Sequence, residues 1–345
     1  MADDAPLQHA IRRLTHGHHL SGSESAAAFG VVVRGEATPT QIAALLVGLR
    51  VKGETPEEVA GAADALRQVM VRLPVTNGRR LVDTCGTGGG RIGTVNISTP
   101  AAFVVAGAGV GVAKHGNRSF TSRCGSADLL EALGVDIGLR PEQAARVLEE
   151  TGLVFLFAPT YHPAMRHVGP TRKELGVPTV MNLLGPLLNP AGVRHQVVGV
   201  ADRERAPLLA GALARLGAEH ALVVHGEVGM DEVSPRGPTL VWEVHEGRID
   251  TWTIEPSAHG LGYDDLEALQ GGEPAENAER VERLLKGERD PAARAAVLLN
   301  AAAAILVSGE AGDYSEAVDR ARTALESGAA FRVLERVRGA APREA

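Results

Sequence analysis

Residues 80–99 read RLVDTCGTGGGRIGTVNIST, and this stretch decides how the chain is expected to fold. Residues 80–84 are typical of a short buried strand, the glycines that follow predict a turn, and Ser98-Thr99 then opens an apolar helix through Ala106. Glycine lets backbone N–H groups approach an anion, and the free N–H groups at a helix start add positive potential. A phosphate or pyrophosphate site is one interpretation. A tight strand-to-helix turn with an ordinary cap is the other.

A second polar loop, KHGNRSFTS, begins at Lys114 and follows a strand predicted at residues 109–113. Lys114 and Arg118 supply positive charge, and Asn117 with the nearby hydroxyls supplies short hydrogen-bond donors. Taken alone, the loop could be solvated surface. Open α/β sheets bind ligands beyond the carboxyl ends of their strands. Two such loops after consecutive strands therefore favour one shared anion site.

An acidic pair, Asp231-Glu232, follows the strand predicted at residues 221–225. Magnesium is commonly held by one or two carboxylates together with the phosphates of a substrate. A solvated acidic turn is the alternative interpretation. The two phosphate-type loops expected nearby favour the metal.

Arg172 lies in the polar segment that begins at His162, and its guanidinium could pair bidentately with a carboxylate. An ordinary surface helix is the alternative. Four histidines near the N-terminus also attract attention, but no cysteine or paired acid lies close to them in sequence, so a metal site there is disfavoured. They are His9, His16, His18 and His19.

The remaining chain alternates short apolar runs with helical patterns, which predicts a parallel sheet covered by helices. Further strands are predicted at residues 153–157 and 196–200, and helices at 141–151 and 205–216. Residues 240–254 alternate in polarity and predict a hairpin that turns at Glu246-Gly247. From about residue 275 the chain is alanine-rich and helical.

No strand is expected before Pro74. Thr38-Pro39 and Thr55-Pro56 each suit a helix N-cap followed by proline, and Glu58 is placed to complete a capping box. Residues 166–188 also look helical and polar. We expect them to leave the sheet domain and pack with the N-terminal helices.

The composition suits about two domains, since 345 residues exceed the roughly 100–200 of a single one. Lys and Arg number 35 against 42 Asp and Glu, a net charge of −7 that does not indicate nucleic-acid binding. Two isolated cysteines, Cys85 and Cys124, argue against a zinc site or a disulfide framework. No apolar run approaches the ~18 residues of a membrane span, and the N-terminus lacks a signal-peptide pattern. We therefore expect a soluble, cytoplasmic protein.

Four segments, in this order, resemble the anthranilate phosphoribosyltransferase family: DTCGTGGGRIGTVNIST (83–99), VAKHGNRSFTSRCGSADLLEALGV (112–135), HPAMRHVGPTRKELGVPTVMNLLGPLLNPAG (162–192) and VHGEVGMDEVS (224–234). The resemblance implies a small α-helical domain plus a larger α/β domain with a mostly parallel central sheet, the nucleoside phosphorylase-like fold. Residues 1–74 would form the helical domain, joined by an inserted helical segment at about 166–194. Residues 75–165 and 195–340 would form the phosphoribosyl-pyrophosphate-binding domain.

The resemblance also implies a reaction, in which phosphoribose passes from phosphoribosyl pyrophosphate to the amine of anthranilate during tryptophan biosynthesis. It implies Mg²⁺ as cofactor and a homodimer formed through the helical domain, with no nucleic-acid or membrane partner. Phosphoribosyl pyrophosphate would lie on Gly86, Gly89, Gly90, Thr94, Asn96, Ser98, Thr99, Lys114, Asn117, Ser119 and Ser126. Magnesium would lie on Ser98, Asp231 and Glu232, and anthranilate on Gly86, Asn117 and Arg172. No catalytic base is evident. His115 is the candidate, with a role in orienting its loop as the alternative.

One position departs from the family pattern. The loop usually reads GTGGD, and this chain has Gly90 in place of the acid, followed by Arg91. Gly90 could then contribute its backbone alone, and magnesium binding is expected to be tuned differently. Two rival functions remain at this point, a nucleoside phosphorylase of the same fold and a non-enzymatic relative that binds nucleic acid. The segment KHSTGG associated with the first is absent from the chain, and the second should have lost the phosphate and metal residues and gained basic surface.

Overall fold

The computed structural model describes residues 5–74, 80–90, 93–119 and 123–340. Its centre is a seven-stranded sheet with the strand order β3-β2-β1-β4-β5-β6-β7. The five strands from β3 to β5 are parallel, and β6 and β7 extend the sheet in antiparallel fashion. The strands are β1 Leu81–Gly86, β2 Gly111–Gly116, β3 Leu153–Phe157, β4 His195–Gly199, β5 His220–Gly226, β6 Thr239–His245 and β7 Arg248–Ile254. The predicted fold class, a helical domain plus an α/β domain with a mostly parallel sheet, is confirmed.

Four helices precede the sheet, and the described residues before β1 form no strand, as predicted. These helices are α1 Pro6–Thr15, α2 Gly22–Val33, α3 Pro39–Lys52 and α4 Pro56–Val69. The hydroxyls of Thr38 and Thr55 accept hydrogen bonds from the backbone three residues on, and both predicted caps form as full capping boxes. Local sequence chemistry is therefore enough to start α3 and α4 at the observed residues.

The helices after β1 divide between the two faces of the sheet. They are α5 Ser98–Gly107, α6 Ser126–Ala132, α7 Pro141–Thr151, α8 Ala158–Tyr161, α9 Gly169–Leu175, α10 Met181–Leu184, α11 Ala206–Arg215, α12 Pro274–Leu285, α13 Pro291–Ser308, α14 Tyr314–Glu326 and α15 Ala329–Ala340. One face packs on α5 and the C-terminal helices α12–α15. The other face packs on α11, which shares a core with α1–α4 and with the segment around α9 and α10.

Two predicted elements differ most in extent from the structure. The second strand begins at Gly111 rather than residue 109 and continues to Gly116, because Gly109 has a φ of +94° and belongs to the preceding turn. Lys114 and His115 therefore lie on the sheet itself. Residues 166–188 form short helical pieces instead of one helix, since α9 ends at Gly176 with a φ of +62° and Pro178 follows.

The hairpin predicted at residues 240–254 is confirmed as β6 and β7, which pair from Thr239↔Ile254 to His245↔Arg248. Its turn residues Glu246 and Gly247 both have positive φ, 49° and 78°. Two such residues form the tight turn that matches the twist of paired strands.

The expectation that no apolar run approaches membrane-spanning length was wrong. Helix α13 has 18 residues and a mean hydropathy of 1.6, so by length and composition it could cross a membrane. Of this helix, 83% is buried inside the protein. Helix α13 packs between the sheet and helices α5 and α14, and this burial accounts for the apolar composition of the helix.

The helical region is joined to the sheet region through α4 and α11. A Cβ at Gly211 would lie 2.8 Å from the Pro56 ring, so the two helices touch where α11 carries no side chain. The guanidinium of Arg205 donates to the buried carboxylate of Glu54 at 2.8 Å beside this contact. How the chain divides into domains at residues 74, 166 and 194 stays a prediction.

A buried carboxylate holds the helical region together internally. Glu58 is fully buried and accepts hydrogen bonds from the backbone of Leu20 at 2.7 Å and of Thr55 at 2.8 Å. Lys52 Nζ, itself 4% exposed, lies 2.8 Å from the same carboxylate. Two loops and one helix end therefore depend on this one group.

We expect Glu58→Ala to lower the free energy of unfolding by about 3–5 kcal/mol, because the Lys52 ammonium loses its carboxylate partner and the N–H groups of Leu20 and Thr55 lose their acceptor. Urea unfolding of the native and variant chains measures the loss. Glu36→Ala is the matched control, since it removes an exposed ion pair with Arg34 and should change stability little. A Glu58→Ala chain as stable as the Glu36→Ala chain would contradict the interpretation.

Candidate active site

Three loops meet beyond the carboxyl ends of the central parallel strands. The glycine-rich loop follows β1, the Lys114 loop follows β2, and the loop with Asp231 and Glu232 follows β5. Within the first loop, Gly88 and Gly89 have positive φ of 69° and 84°, a conformation that L side chains rarely adopt. This is the edge of an open α/β sheet at which ligands bind.

The glycine loop packs against Asp231 because it has no side chains. A Cβ at Gly86 would lie 3.3 Å from Asp231 Oδ2, and one at Gly90 would lie 2.6 Å from Asp231 Oδ1. The structure therefore brings the predicted phosphate loop and the predicted metal pair into contact, although they are far apart in sequence.

Gly199, which the sequence did not single out, makes this contact possible. It is the last residue of β4, and a Cβ there would lie 1.6 Å from the carbonyl oxygen of Asp231. Its own carbonyl accepts a hydrogen bond from the N–H of Thr87 at 2.9 Å. Any side chain at residue 199 would displace the acidic loop from the glycine loop. A glycine at the end of a predicted central strand was the available signal.

The acidic pair carries an electrostatic cost in the folded chain. Burial raises the pKa of both the Asp231 and the Glu232 carboxyls, and the charge of Asp231 raises that of Glu232 further. Few contacts oppose these shifts: its own backbone N–H and the neighbouring His225 act on Asp231, and a 3.4 Å hydrogen bond from Thr94 Oγ1 and the charge of Lys114 act on Glu232. Two desolvated carboxylates with little local compensation have the donor chemistry of a hard divalent cation site.

Lys114 lies inside the protein, underneath the loops. It is 3% exposed, and its Nζ donates to the carbonyl of Thr84 at 2.5 Å and to Ser98 Oγ at 3.2 Å. The hydroxyl of Thr84 donates to the Ser98 carbonyl at 3.1 Å. Burial lowers the pKa of Lys114, and the nearby carboxylate of Asp83 opposes that shift. The ammonium therefore ties the end of β1 to the start of α5.

Asp83 is a second residue that the sequence analysis placed only in a strand. It is fully buried, and it accepts hydrogen bonds from the His115 N–H at 3.1 Å and from Asn189 Nδ2 at 2.8 Å. Asn189 Nδ2 also donates to the Ala113 carbonyl at 2.8 Å. The Asp83 carboxylate thus faces the Lys114 ammonium and links β1, β2 and the segment after α10. An acid within an apolar strand was its signal.

The Lys114 loop folds back on the start of α6. Ser126 Oγ and the Ala127 N–H both donate to the Asn117 carbonyl at 3.2 Å. A Cβ at Gly125 would lie 2.3 Å from the Ser119 nitrogen, so this turn requires glycine. Asn117, Ser119 and Ser126 are therefore brought together as predicted residues of one loop. Phe120, Thr121 and Ser122 lie outside the described residues.

Arg118 does not supply free charge to the site, in contrast to the expectation from its sequence. Its guanidinium donates to Asp128 Oδ1 at 2.9 Å and to the Glu131 carboxylate at 2.5 and 2.8 Å, on the first turns of α6. The carboxylates of Asp128 and Glu131 therefore neutralise the charge of Arg118. The sequence did not indicate this pairing because a loop separates Arg118 from the helix.

The segment before α5 packs against the chain between β7 and α12. Val95 N donates to Leu269 O at 2.8 Å. Asn96 uses both ends of its amide within the protein, donating to Cys124 O at 2.8 Å and accepting from Asn277 Nδ2 at 3.1 Å. Thr99 Oγ1 is buried and has no hydrogen-bond partner among the described residues. Of the predicted phosphate ligands in this segment, Asn96 therefore has the most complete set of protein partners.

Arg172 lies on α9 and is half-buried. Burial lowers the pKa of its guanidinium, and within the described ranges it forms no hydrogen bond or ion pair through its side chain. A half-buried cation without an acidic partner is a candidate for binding a carboxylate.

His115 is poorly suited to act as a base at neutral pH. Its Nε2 lies 3.2 Å from Nε2 of His162, and both rings are buried. Burial lowers the pKa of His115 to about 3 and that of His162 to about 4, so both are neutral at pH 7. The alternative role, in which His115 orients its loop, agrees better with this packing.

A helical bundle joined to an α/β domain, with a glycine loop and an acidic pair at the strand ends, defines the class. One family model, described as "Glycosyl transferase family, helical bundle domain", matches residues 8–70. A second, "Glycosyl transferase family, a/b domain", matches residues 78–331. The two regions of the chain are thus those of a glycosyl transferase of this family.

The particular family follows from relatives along nearly the whole chain. An anthranilate phosphoribosyltransferase of Rubrobacter xylanophilus is 51% identical over 330 residues, 96% of each chain. The crystal structure of the Thermus thermophilus enzyme has a TM-score of 0.91 and 47% identity, covering 96% of this chain and 98% of that one. The chain belongs to the anthranilate phosphoribosyltransferase family.

Structures of the Saccharomyces cerevisiae enzyme carry ligands. One, in complex with phosphoribosyl pyrophosphate and Mg, has a TM-score of 0.89 and 31% identity over 98% of both chains. Another, in complex with 4-fluoroanthranilate, has a TM-score of 0.86 and 30% identity over 97% of both chains.

We expect Gly90→Asp to lower the magnesium concentration that gives half-maximal activity by about tenfold or more. The new carboxylate would lie beside Asp231, where the magnesium ion is proposed to bind. A carboxylate and a cation a few ångströms apart near a protein surface attract each other by a few kcal/mol. Gly90 lies outside the left-handed region that Gly88 and Gly89 occupy, so its backbone accepts a side chain once the Asp231 carboxylate, 2.6 Å from the new Cβ, moves aside. Steady-state rates across a magnesium series measure the shift.

Gly90→Asn is the matched control, because it adds the same bulk without charge. An unchanged magnesium profile in Gly90→Asp, or the same shift in Gly90→Asn, would contradict an electrostatic effect. Arg91, the sequence candidate for compensating the missing acid, lies outside the described residues.

Proposed function

We propose that this chain transfers phosphoribose from phosphoribosyl pyrophosphate to the amine of anthranilate, giving N-(5-phosphoribosyl)anthranilate and pyrophosphate in tryptophan biosynthesis. The main observation behind this proposal is that the glycine loop contacts a pair of buried, poorly compensated carboxylates at the ends of the strands. Loss of anthranilate fluorescence, in the presence of phosphoribosyl pyrophosphate and magnesium, tests the proposal. Phosphorolysis of a nucleoside without activity on anthranilate would favour the nucleoside phosphorylase alternative.

Phosphoribosyl pyrophosphate is proposed to bind across the two strand-end loops and the start of α5. The backbone N–H groups around Gly88 and Gly89 point toward an anion in this type of loop. The ammonium of Lys114 contributes positive potential from below while it holds Ser98 in place. The proposed residues are Gly86, Gly89, Gly90, Thr94, Asn96, Ser98, Thr99, Lys114, Asn117, Ser119 and Ser126.

Magnesium is proposed to be held by Ser98, Asp231 and Glu232. The fit rests on their chemistry, since all three offer oxygen ligands and the two carboxylates gain from a cation that offsets their burial. When bound, the ion would neutralise the charge that grows on the departing pyrophosphate. The complex of the yeast relative with phosphoribosyl pyrophosphate and Mg supports this choice of ion.

The reaction breaks the bond between the anomeric carbon and pyrophosphate and forms one to the anthranilate nitrogen. An aromatic amine is already a nucleophile, so the chain needs no covalent intermediate. Its residues would act by holding the two substrates in line and by stabilising the pyrophosphate with positive potential from Lys114 and the loop N–H groups. Anthranilate is proposed to contact Gly86, Asn117 and Arg172, with the Arg172 guanidinium on its carboxylate.

The helical region is proposed to close over the sheet and exclude water, which would otherwise hydrolyse the activated ribose. It is also the proposed homodimer surface. Among the described residues, five of the six exposed large apolar side chains belong to the proposed helical domain: Val47, Val51, Val69, Val71 and Val177. Exposed apolar groups mark an association surface where they form one contiguous patch. A cytoplasmic location, without nucleic-acid or membrane partners, is part of the proposal.

We expect Asp231→Asn/Glu232→Gln to reduce magnesium-dependent turnover by about a hundredfold or more, because both charged metal ligands are lost. The fold should tolerate the change. A carboxyl with a raised folded-state pKa destabilises the fold once it ionises, so neutral substitutes should preserve or raise the unfolding midpoint at pH 7 without magnesium. Magnesium should stabilise the native chain and leave the variant unaffected.

Glu227→Gln, an exposed acid on the same loop, is the matched control and should behave as native. Normal turnover of the double variant across a magnesium titration would show that the pair does not bind the ion.

We expect Arg172→Ala to raise the KM for anthranilate by roughly 10- to 150-fold, since a charged hydrogen bond contributes about 1.5–3 kcal/mol. The KM for phosphoribosyl pyrophosphate should change far less. Lys173→Ala removes the exposed neighbouring charge and serves as the control. Equal changes for both substrates would indicate that Arg172 supports the structure of α9 instead of binding the acceptor.

A further inference from the structure

Three histidines form a row across β4, β5 and β6, at the strand ends opposite the candidate active site. His195 begins β4 and pairs with His220, the first residue of β5, which in turn pairs with His245, the last residue of β6. Residues in register on neighbouring strands project to the same face, so the three imidazoles lie side by side. With seven residues in β5, the row lies roughly 20 Å from the other end of that strand.

Two of these histidines converge with a carboxylate. His220 Nε2 lies 2.6 Å from Glu243 Oε1, and one ligand atom from each of His220, Glu243 and His245 falls within 4.8 Å of the others. Glu243 is two residues before His245 on β6, and therefore on the same face. The indole N–H of Trp252, on β7, donates to the other oxygen of Glu243 at 2.7 Å. That hydrogen bond fixes the carboxylate with one oxygen turned to the histidines.

We propose that His220, Glu243 and His245 bind a divalent transition metal ion such as Zn²⁺. Two imidazole nitrogens and one carboxylate oxygen suit Zn²⁺ and its neighbours in the first transition row, whereas Mg²⁺ and Ca²⁺ prefer oxygen alone. Trp252 supplies the outer hydrogen bond that orients a ligating carboxylate in many metal sites. The remaining coordination positions would be taken by water.

The surroundings give water and an ion access to the cluster. A cleft of about 440 Å³ borders His195, His220 and His245 at this edge of the sheet. Two cations line it: Arg194 is 2.7 Å from the Glu219 carboxylate, which offsets its charge, and Arg80 donates to the Ser308 carbonyl at 3.3 Å. His195 is not part of the proposed ligand set, because its Nδ1 lies 2.8 Å from Val307 O and its Nε2 lies 3.0 Å from Glu219.

Binding requires one ring to turn. The rings of His220 and His245 are stacked, with centroids 4.3 Å apart and planes 14° apart, so their in-plane nitrogens do not yet aim at one point. His245 is exposed, and its ring forms no hydrogen bond within the part of the chain that the structure describes. A rotation about its side-chain bonds therefore breaks only the stack. The ion would also replace the proton that His220 and Glu243 share in their 2.6 Å hydrogen bond, while the Trp252 N–H keeps the carboxylate in place.

The bound ion would join β5 to β6, the first antiparallel pair of the sheet, at the open end next to the hairpin turn. Because it binds the folded arrangement of three residues on two strands, it would stabilise the fold by mass action. It would not take part in the transfer reaction, since the site lies at the far edge of the sheet.

Cobalt(II) absorption and calorimetric titration test the proposal. The starting chain is the full-length Asp231→Asn/Glu232→Gln variant, in which the proposed magnesium pair no longer competes for the added ion. We expect about one equivalent of Co²⁺ to bind with the visible absorption of a nitrogen-ligated ion, and Zn²⁺ to displace it and raise the melting temperature. Adding Trp252→Phe should weaken binding by about 10- to 100-fold, and adding His245→Ala or Glu243→Gln by more.

The matched control is His16→Ala/His18→Ala, which removes another stacked histidine pair, 6.3 Å apart, on the helical region. It should leave the binding unchanged. Binding that persists in both His245→Ala and Glu243→Gln, binding lost in the His16/His18 control, or no nitrogen-ligated Co²⁺ in the starting chain would overturn the proposal. Because turnover with magnesium is not a readout, failure here leaves the proposed transferase activity standing.

Discussion

Asp83 and Lys114 lie inside the protein on neighbouring strands, and the site depends on the balance between their charges. Burial raises the pKa of the Asp83 carboxyl and lowers that of the Lys114 ammonium, and each group's charge opposes the shift of the other. Each also holds a separate part of the site. Asp83 holds the His115 N–H and Asn189, and Lys114 holds Thr84 and Ser98. A buried charge that lost its partner would cost several kcal/mol, so these loops are positioned together.

Above Asp83 and Lys114, the loops of the site can pack closely because several of their residues are glycines. Gly199 admits the Asp231 backbone, Gly86 and Gly90 admit its carboxylate, and Gly125 admits the turn at Ser119. The backbone of three loops can therefore crowd around one small volume, where N–H groups and two carboxylates are exposed to the same ligand. The crowding raises the pKa values of the acidic pair, and a bound cation would lower them.

Two kinds of contact also join the helical region to the sheet region: a glycine that lets a neighbouring side chain approach, and an ion pair with a buried acid. Gly211 lets Pro56 approach α11, and Arg205 pairs with the buried Glu54. These contacts lie on the face of the sheet that carries α11, so they leave Arg172 on α9 as a half-buried cation for which no described residue supplies an acid. Helices that belong to the N-terminal third of the chain thereby share a core with strands that follow much later.

The sequence by itself determined the elements whose causes are local. Thr38 and Thr55 cap their helices, Glu246-Gly247 turns the hairpin, and alternating strands and helices predict the sheet, because each pattern acts over a few residues. Tertiary structure alone decided that Gly199 adjoins Asp231, that Asp83 meets Asn189, that acids of α6 neutralise Arg118 and that three histidines share one row. Those relations depend on strand order, register and close backbone approach between segments distant in sequence. Local sequence can mark Gly199 and Asp83 as unusual in a strand, but it does not indicate which distant segment each one meets.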